Sequence, residues 1–262
     1  MTIFEAVALG ILQGLTEFLP VSSSGHLVII QNLFNLKQPG VTFEVMVHFG
    51  TFLSIIWVFR SDIKELLLAP FKQTNSWFLI LLIVGTIPAG VAGITLRDLF
   101  TAFFQSPFVA PIMLLVTGGL LWFVNHLPQK RYTIRKMSLT DALFIGAAQA
   151  LAIIPGLSRS GSTITAALWR GLDRETAVRY SFLLSLPVIF GATLLEIGTL
   201  LESNSDLALW LPHLAGITAA FFSGIFAIKI FIQALRTKKF HVFAIYCWVI
   251  GFFVLFYNLI SL

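Results

Sequence analysis

Between residues 77 and 93 the chain carries no charged side chain. A run like that has to be buried, either in the core of a large soluble domain or in lipid. It is not isolated. Predominantly apolar stretches recur at residues 42–59, 77–96, 107–124, 176–200, 209–235 and 241–260, each near the roughly 20 residues that a helix needs to cross about 30 Å of hydrocarbon. Composition decides between the two environments. Charged residues make up 11% of the chain and hydrophobic ones 57%, with a mean hydropathy of +0.91, against about 25% charged in ordinary soluble domains. A soluble globular fold is excluded. A transmembrane β-barrel would show short alternating segments with polar lumen faces, and long unbroken runs are the opposite pattern. The chain reads as an all-α, polytopic integral membrane protein, and its 26 Phe residues suit contact with lipid.

The net charge of +5 does not point to nucleic acid, because in membrane proteins the basic excess gathers in cytoplasmic loops. A single cysteine, Cys247, lies in a late apolar stretch, so neither a disulfide framework nor a cysteine metal cluster is available. The first 25 residues lack a basic leader region, carry Glu5 and Glu17 and run into Pro and Ser. They are expected to belong to the mature protein rather than to a cleaved signal.

Sliding the sequence against itself by 136 residues lays Thr2, Glu5, Ala6, Gly10, Gln13, Ser22, Ser24 and Gly25 onto Ser138, Asp141, Ala142, Gly146, Gln149, Ser158, Ser160 and Gly161. A shift of 131 then lays Glu44, Val47, Leu53 and Ser54 onto Glu175, Val178, Leu184 and Ser185, and Gly85 and Gly93 onto Gly216 and Gly224. The order of matches is kept throughout, which is the signature of an internal repeat. One membrane domain, residues 1–262, is therefore expected to contain related halves, 1–126 and 137–262.

Each half reads as a helix, a Pro/Ser/Gly interruption, a short helix and three full spans. The segment from His26 to about Leu36 is only ~16 Å long as a helix, too short to cross, so residues 3–36 are expected to form a re-entrant helical pair, with residues 144–169 as the counterpart. The expected total is six spans and two re-entrant pairs, ten helical segments. Three spans per half force the second half to enter the membrane upside down, an inverted-topology repeat. The charges agree. With the 60–72 loop in the cytoplasm, Arg60, Lys64, Lys72, Lys130, Arg131, Arg135, Lys136, Arg170, Arg174, Arg236, Lys238 and Lys239 share that side, and only Lys37 and Arg97 fall outside. That bias places both termini on the exterior. Arg159, Arg179 and Lys229 remain within membrane segments.

On the first helix Gly10, Gln13, Gly14 and Glu17 form one stripe of small and polar residues at helical spacing, facing away from lipid. A carboxylate at membrane depth costs about 2.5 to 3.5 kcal/mol on insertion scales. Glu17 therefore needs a partner, a cation or a water-filled cavity. Gln13, one turn earlier, can offer a neutral oxygen to the same cation or bond a neighbouring helix. Thr2 with Glu5, and Ser138 with Asp141, have the spacing of capping boxes.

The first interruption, Pro20-Val21-Ser22-Ser23-Ser24-Gly25-His26, opens a new helix whose free N–H groups and positive dipole end suit an anion. The second, Pro155-Gly156-Leu157-Ser158-Arg159-Ser160-Gly161-Ser162-Thr163, adds an arginine. A helix N-terminus repels a cation, so Arg159 needs an anion beside it. Its planar fork matches phosphate oxygens, while a pair with Glu17 is the purely structural alternative. An inverted repeat brings the two breaks together near the midplane, gathering Glu17, the serines, His26 and Arg159. Those residue types suit phosphoryl transfer, with a nucleophile, an acid/base partner and cationic stabilisation, often aided by a divalent metal. Spacing leaves the choice among Ser22, Ser23 and Ser24 open, though Ser23 lies three residues before His26, a separation at which side chains meet across one turn.

With these motifs, from Gln13 to His26 and from Pro155 to Thr163, the chain resembles the undecaprenyl-diphosphatase family, membrane enzymes linked with bacitracin resistance, over nearly its whole length. The resemblance implies a fold of paired re-entrant helices in an inverted repeat, in the plasma membrane of a bacterium. It implies hydrolysis of a polyprenyl diphosphate to the monophosphate and inorganic phosphate, which recycles the lipid carrier for peptidoglycan synthesis and so supports cell wall biogenesis and cell shape. A divalent cation, Mg2+ or Ca2+, is implied as cofactor. Carried over on the matching positions, Glu17 and Gln13 would associate with the metal, Ser23 would be the nucleophile, His26 its acid/base partner and Arg159 the phosphate binder. Ser22, Ser24, Ser158, Ser160 and Thr163 would line the phosphate pocket. Two positions depart from the common pattern, Gln13 where Glu is frequent and Ser24 where Thr is frequent.

The charge bias would put the mouth of the first break, like the termini, on the outer side. The alternative function is a transporter or flippase for a polyprenyl phosphate, since inverted repeats with broken helices serve transport equally well. The unrelated two-histidine lipid-phosphate phosphatases are disfavoured, because Ser24-Gly25-His26 matches only a fragment of their signature and the second histidine is missing. Glu44, His48, Glu175, Arg179, Glu196 and Lys229 are left to gate a cavity or to pair structurally. The oligomeric state stays open, a homo-oligomer included.

Overall fold

The computed structural model describes residues 1–33, 40–72, 76–124, 126–127, 132–202, 210–236 and 240–260. Lys37, Lys130, Arg131, Lys238 and Lys239, the expected helix end at Leu36 and the side chain of Glu196 lie outside what is described. Within the described residues run twelve α-helices: α1 Ile3–Phe18, α2 Ser23–Leu33, α3 Gly40–Val58, α4 Arg60–Lys72, α5 Ser76–Thr95, α6 Arg97–Gln105, α7 Val109–Val124, α8 Leu139–Leu151, α9 Arg159–Trp169, α10 Arg174–Glu202, α11 Trp210–Arg236 and α12 Phe240–Ile260. A short 3-10 turn, Ile134–Lys136, precedes α8.

Four stretches are long and apolar enough to cross a membrane unaided: Ser76–Thr95, Arg174–Leu194, Trp210–Ala234 and Phe240–Ile260. Two further spans arise only as bent pairs, Phe43–Val58 with Arg60–Leu68 at 79° and Arg97–Gln105 with Val109–Val124 at 100°. The chain is a multi-pass, all-helical membrane protein. Two of its helices depart from the ten expected segments. Residues 60–72, read as a loop, form α4, and residues 97–105 form α6. Near hydrocarbon the backbone satisfies its hydrogen bonds best as helix. Each of these segments also has an apolar side to bury, through Leu66 in α4 and Phe100 in α6. The second broken pair begins at Leu139 rather than at 144, where Ser138 and Asp141 form the expected capping box, as Thr2 and Glu5 do on α1.

Helices pack here through small residues, since lipid provides no hydrophobic drive between them. Gly10 and Gly14 on α1 lie against Gly216, Ala220 and Gly224 on α11, at separations that leave no room for a β-carbon. The contact is reciprocated. Gly146 on α8, 136 residues after Gly10, lies just as tightly on Gly85 of α5, 131 residues before Gly216. Likewise Gly25 abuts Gly156, while Gly161 abuts Pro20, the residue equivalent to Gly156. Such exchanged contacts are what a two-fold relation between the halves generates. On the outside, Ile80, Ile83, Ile87, Val91 and Ile94 of α5 are all exposed at helical spacing, a face for lipid rather than water.

Candidate active site

The two helix breaks build the site. Pro20 stops α1, and Ser22 turns the chain with φ 68° so that α2 can begin at Ser23. The Ser22 hydroxyl accepts the Gly25 N–H at 3.3 Å. Its equivalent, Ser158, caps α9 in the same way, accepting the Gly161 N–H at 3.1 Å. Both helix starts leave first-turn N–H groups outside the helical ladder, and Ser22, Ser23, Ser24, Ser158 and Arg159 all line one cavity of about 190 Å³.

Glu17, 7% exposed at the end of α1, is the hub of that cavity. Its Oε1 accepts from Arg159 Nη2 at 2.7 Å. Its Oε2 accepts from the Ser23 hydroxyl at 2.5 Å and from Gln13 Nε2 at 3.0 Å, with His48 Nε2 at 3.6 Å. The ion pair offsets the cost of an arginine at a helix N-terminus. It leaves part of the fork uncommitted, for Arg159 Nη1 makes only a 3.4 Å contact with the Ser181 carbonyl. A hydroxyl held on a carboxylate, beside a guanidinium and two helix N-termini, has the parts that a nucleophile, its proton acceptor and an anion cradle require.

Comparison with known proteins covers nearly the whole chain. Residues 6–253 match the family model described as bacitracin resistance protein BacA. The chain belongs to the BacA family. Relatives named undecaprenyl-diphosphatase include one from Halothermothrix orenii, 46% identical over 255 residues that cover 97% of this chain and 98% of the relative. Another, from Syntrophotalea carbinolica, is 43% identical over 96% of this chain and 97% of its own. A third, from Carboxydothermus hydrogenoformans, is 41% identical over 97% of both.

Within this BacA-family site the expected residues divide. Glu17, Ser22, Ser23, Ser24, Ser158 and Arg159 meet at the cavity. Gln13 sits just behind Glu17. Ser160 and Thr163 do not line the cavity: the Ser160 hydroxyl points to the Leu19 carbonyl at 3.3 Å, and that of Thr163 bonds the Arg159 carbonyl at 2.8 Å and the Ser181 hydroxyl at 2.5 Å. Both are fully buried and hold the break together. The expected meeting of His26 with Ser23 is also not formed. Both ring nitrogens are engaged elsewhere, Nδ1 with the Ser22 carbonyl at 2.7 Å and Nε2 with the Tyr246 hydroxyl at 2.8 Å.

The sequence leaves Glu44 and His48 to gate a cavity or to pair structurally, marks Gln149 and Ser185 only as repeat matches and gives no role to Phe104. All five line the cavity. The repeat alignment was the one available signal, pairing Gln149 with Gln13 and Ser185 with Ser54. Of the other unassigned charges, Arg179 pairs with Asp62 and lies 5.5 Å over the Phe78 ring, and Glu175 and Lys229 are exposed.

The residues that would meet a divalent cation are Glu17 and, behind it, Gln13. Gln13 Oε1 is buried without a hydrogen-bond partner while its amide donates to Glu17, which leaves a neutral oxygen beside a carboxylate. Among the described residues no three His, Cys, Asp or Glu side chains converge as a cage. Magnesium in phosphoryl-transfer sites is commonly held by one or two protein oxygens together with substrate phosphate and water.

Proposed function

We infer that the protein is an integral membrane hydrolase that converts undecaprenyl diphosphate to undecaprenyl monophosphate and inorganic phosphate, recycling the lipid carrier of cell-wall synthesis and conferring resistance to bacitracin. The observation that carries the chemistry is the Ser23 hydroxyl at 2.5 Å from Glu17, opposite Arg159.

In this reading the terminal phosphoryl group enters between the two helix N-termini. Arg159 and the free N–H groups hold its equatorial oxygens, with Ser22, Ser24 and Ser158 around them. Ser23 Oγ attacks the terminal phosphorus and Glu17 takes the hydroxyl proton. The bridging P–O bond breaks, undecaprenyl monophosphate leaves and takes over the proton from Glu17, and the phosphoryl group is left on Ser23. Water, deprotonated by the freed Glu17 carboxylate, then attacks the phosphoserine; the Ser23 Oγ–P bond breaks, inorganic phosphate leaves and Glu17 returns a proton to Ser23 Oγ. Glu17 and Gln13 would hold a divalent cation, Mg2+ or Ca2+, which supplies charge neutralisation for the phosphate oxygens.

The cavity is amphiphilic, as such a lipid requires. Its lining also includes Phe104, Ala152, Ile153, Leu157, Val188 and Ile189, apolar surface for the first isoprene units while the remaining tail stays in the bilayer. Arg60, Lys64, Arg135, Lys136, Arg170 and Arg174 fall on segments that an alternating path of the spans puts on one side, and this basic bias supports an orientation with those segments in the cytoplasm. Both termini and the site's mouth then face the exterior.

The deciding experiment measures inorganic phosphate released from undecaprenyl diphosphate by the purified protein in detergent, with Mg2+ or Ca2+ and then with chelator. Release that needs the cation and vanishes in Ser23→Ala is the expected result. A folded wild type that releases nothing, yet moves the lipid across a proteoliposome membrane, would overturn hydrolysis in favour of transport.

A further inference from the structure

His26 lies in the first turn of α2, but its ring turns away from the cavity. Nδ1 stands 2.7 Å from the carbonyl oxygen of Ser22, and Nε2 stands 2.8 Å from the hydroxyl of Tyr246 on α12. A carbonyl oxygen only accepts, so Nδ1 carries the hydrogen. In the neutral ring Nε2 then presents its lone pair, and the Tyr246 hydroxyl donates to it. The two rings are within 6° of parallel, and His26 is 6% exposed. Neither nitrogen is disposed to exchange a proton with Ser23.

What the ring holds is the turn. Among the described residues Ser22 alone combines a side chain with a positive φ, 68°, in the left-handed region that L-residues avoid. Its carbonyl also starts the helical ladder of α2, accepting the His26 N–H at 3.2 Å. The direction of that carbonyl thus fixes where α2 begins and where the next side chain, Ser23, points. The second break manages without such a clamp. Ser162 occupies the position equivalent to His26, and the positive φ there, 93°, falls on Gly156, which adopts it freely.

We propose that His26 and Tyr246 form a positioning pair: Tyr246 fixes the His26 tautomer, His26 holds the Ser22 carbonyl, and the strained turn so held aims Ser23 at Glu17. The proposal rests on Ser23 being the nucleophile. It gives His26 no proton-transfer step and makes Tyr246, 220 residues away, part of the site's support.

The test uses the full chain in detergent with His26→Asn, His26→Ala, Tyr246→Phe and the double variant His26→Asn/Tyr246→Phe, each checked for folding by thermal melting. The Asn amide nitrogen sits where Nδ1 does and can donate to the Ser22 carbonyl, but it cannot act as an acid or base. His26→Asn should keep kcat within about tenfold of wild type and His26→Ala should fall about tenfold further, the difference being one buried hydrogen bond. Tyr246→Phe should lower kcat about fivefold with KM unchanged, and should add nothing in the His26→Asn background, where Nε2 is gone. Nitrogen-15 spectra should show the His26 hydrogen on Nδ1, with that preference weakened in Tyr246→Phe. His26→Asn as inactive as His26→Ala, or a hydrogen on Nε2, overturns the proposal. The spectra need no turnover, so a wild type that fails to hydrolyse would sink the enzymatic reading while the tautomer still judged the clamp.

Discussion

The two broken helices, α1–α2 and α8–α9, share most of their construction and differ at a few positions that matter. Both open on a capping box, both carry a buried glutamine with an unpartnered Oε1, and both cap the second helix with a serine that accepts the N–H of a glycine three residues on. The differences fall inside the cavity. Where the first break has Ser23 the second has Arg159, and where the first has Glu17 the second has Ile153. The shared parts make an anion cradle out of helix N-termini, a property of backbone and small residues that duplication preserves. The differing parts divide the polar groups, hydroxyl and carboxylate coming from one break and the guanidinium from the other.

The strongest way to break that division is to remove the first half's contribution. Ser23→Ala should lower phosphate release by about a thousandfold or more, with Glu17→Gln comparable. The double variant should be no worse than either single one, because nucleophile and acceptor act as a unit. Single-turnover release assays check this. Additive losses would mean that Glu17 works apart from Ser23. On the other side, Arg159→Lys keeps the charge and loses the fork, so kcat/KM should fall by about ten- to a hundredfold. A fully active lysine variant would reduce the second break to a point charge.

Much of this asymmetry was legible in the sequence. Glu17 and Arg159 announce themselves because charges are costly in a membrane, and the serine runs beside proline mark the breaks. Glu44, His48, Gln149 and Ser185 were harder to see because they arrive from α3, α8 and α10. Each is ordinary in its own helix, and only the packing of small residues brings them to the cavity. Ser160 and Thr163 misled for the opposite reason. They sit within a turn of Arg159, but helical rotation aims their hydroxyls at the Leu19 and Arg159 carbonyls instead. His26 misled because spacing puts it within reach of Ser23 and cannot say which way the ring turns. α4 and α6 were missed because short amphipathic helices at the polar ends of spans resemble loops in charge content.

A finer comparison sets the paired glutamines against each other. Both Gln13 and Gln149 have a buried, unpartnered oxygen, but only Gln13 bonds to Glu17, whereas Gln149 reaches the Leu184 carbonyl at 3.5 Å. Gln13→Leu should weaken Mg2+ or Ca2+ binding by about tenfold in calorimetry, and Gln149→Leu should leave it unchanged. Equal effects would spread the cation site over both halves.

The smallest expected difference lies at the helix starts. Thr2 and Glu5 are linked at 2.8 and 3.2 Å at an exposed end of α1, with no further partner for the glutamate among the described hydrogen bonds. Asp141 is 3% exposed and does two jobs, holding Ser138 N and Oγ at 2.9 and 2.8 Å through one oxygen and Arg170 Nε at 2.5 Å through the other. Removing Ser138 Oγ therefore loosens a carboxylate that also anchors the far end of α9. Ser138→Ala should cost about 2 kcal/mol and Thr2→Ala about 0.5 to 1 kcal/mol, the upper and lower parts of the range for N-caps. Reversible unfolding in mixed detergent measures both. If the two variants unfold together, the Asp141–Arg170 pair stands without its cap, and the second break owes its geometry to the glycine contacts alone.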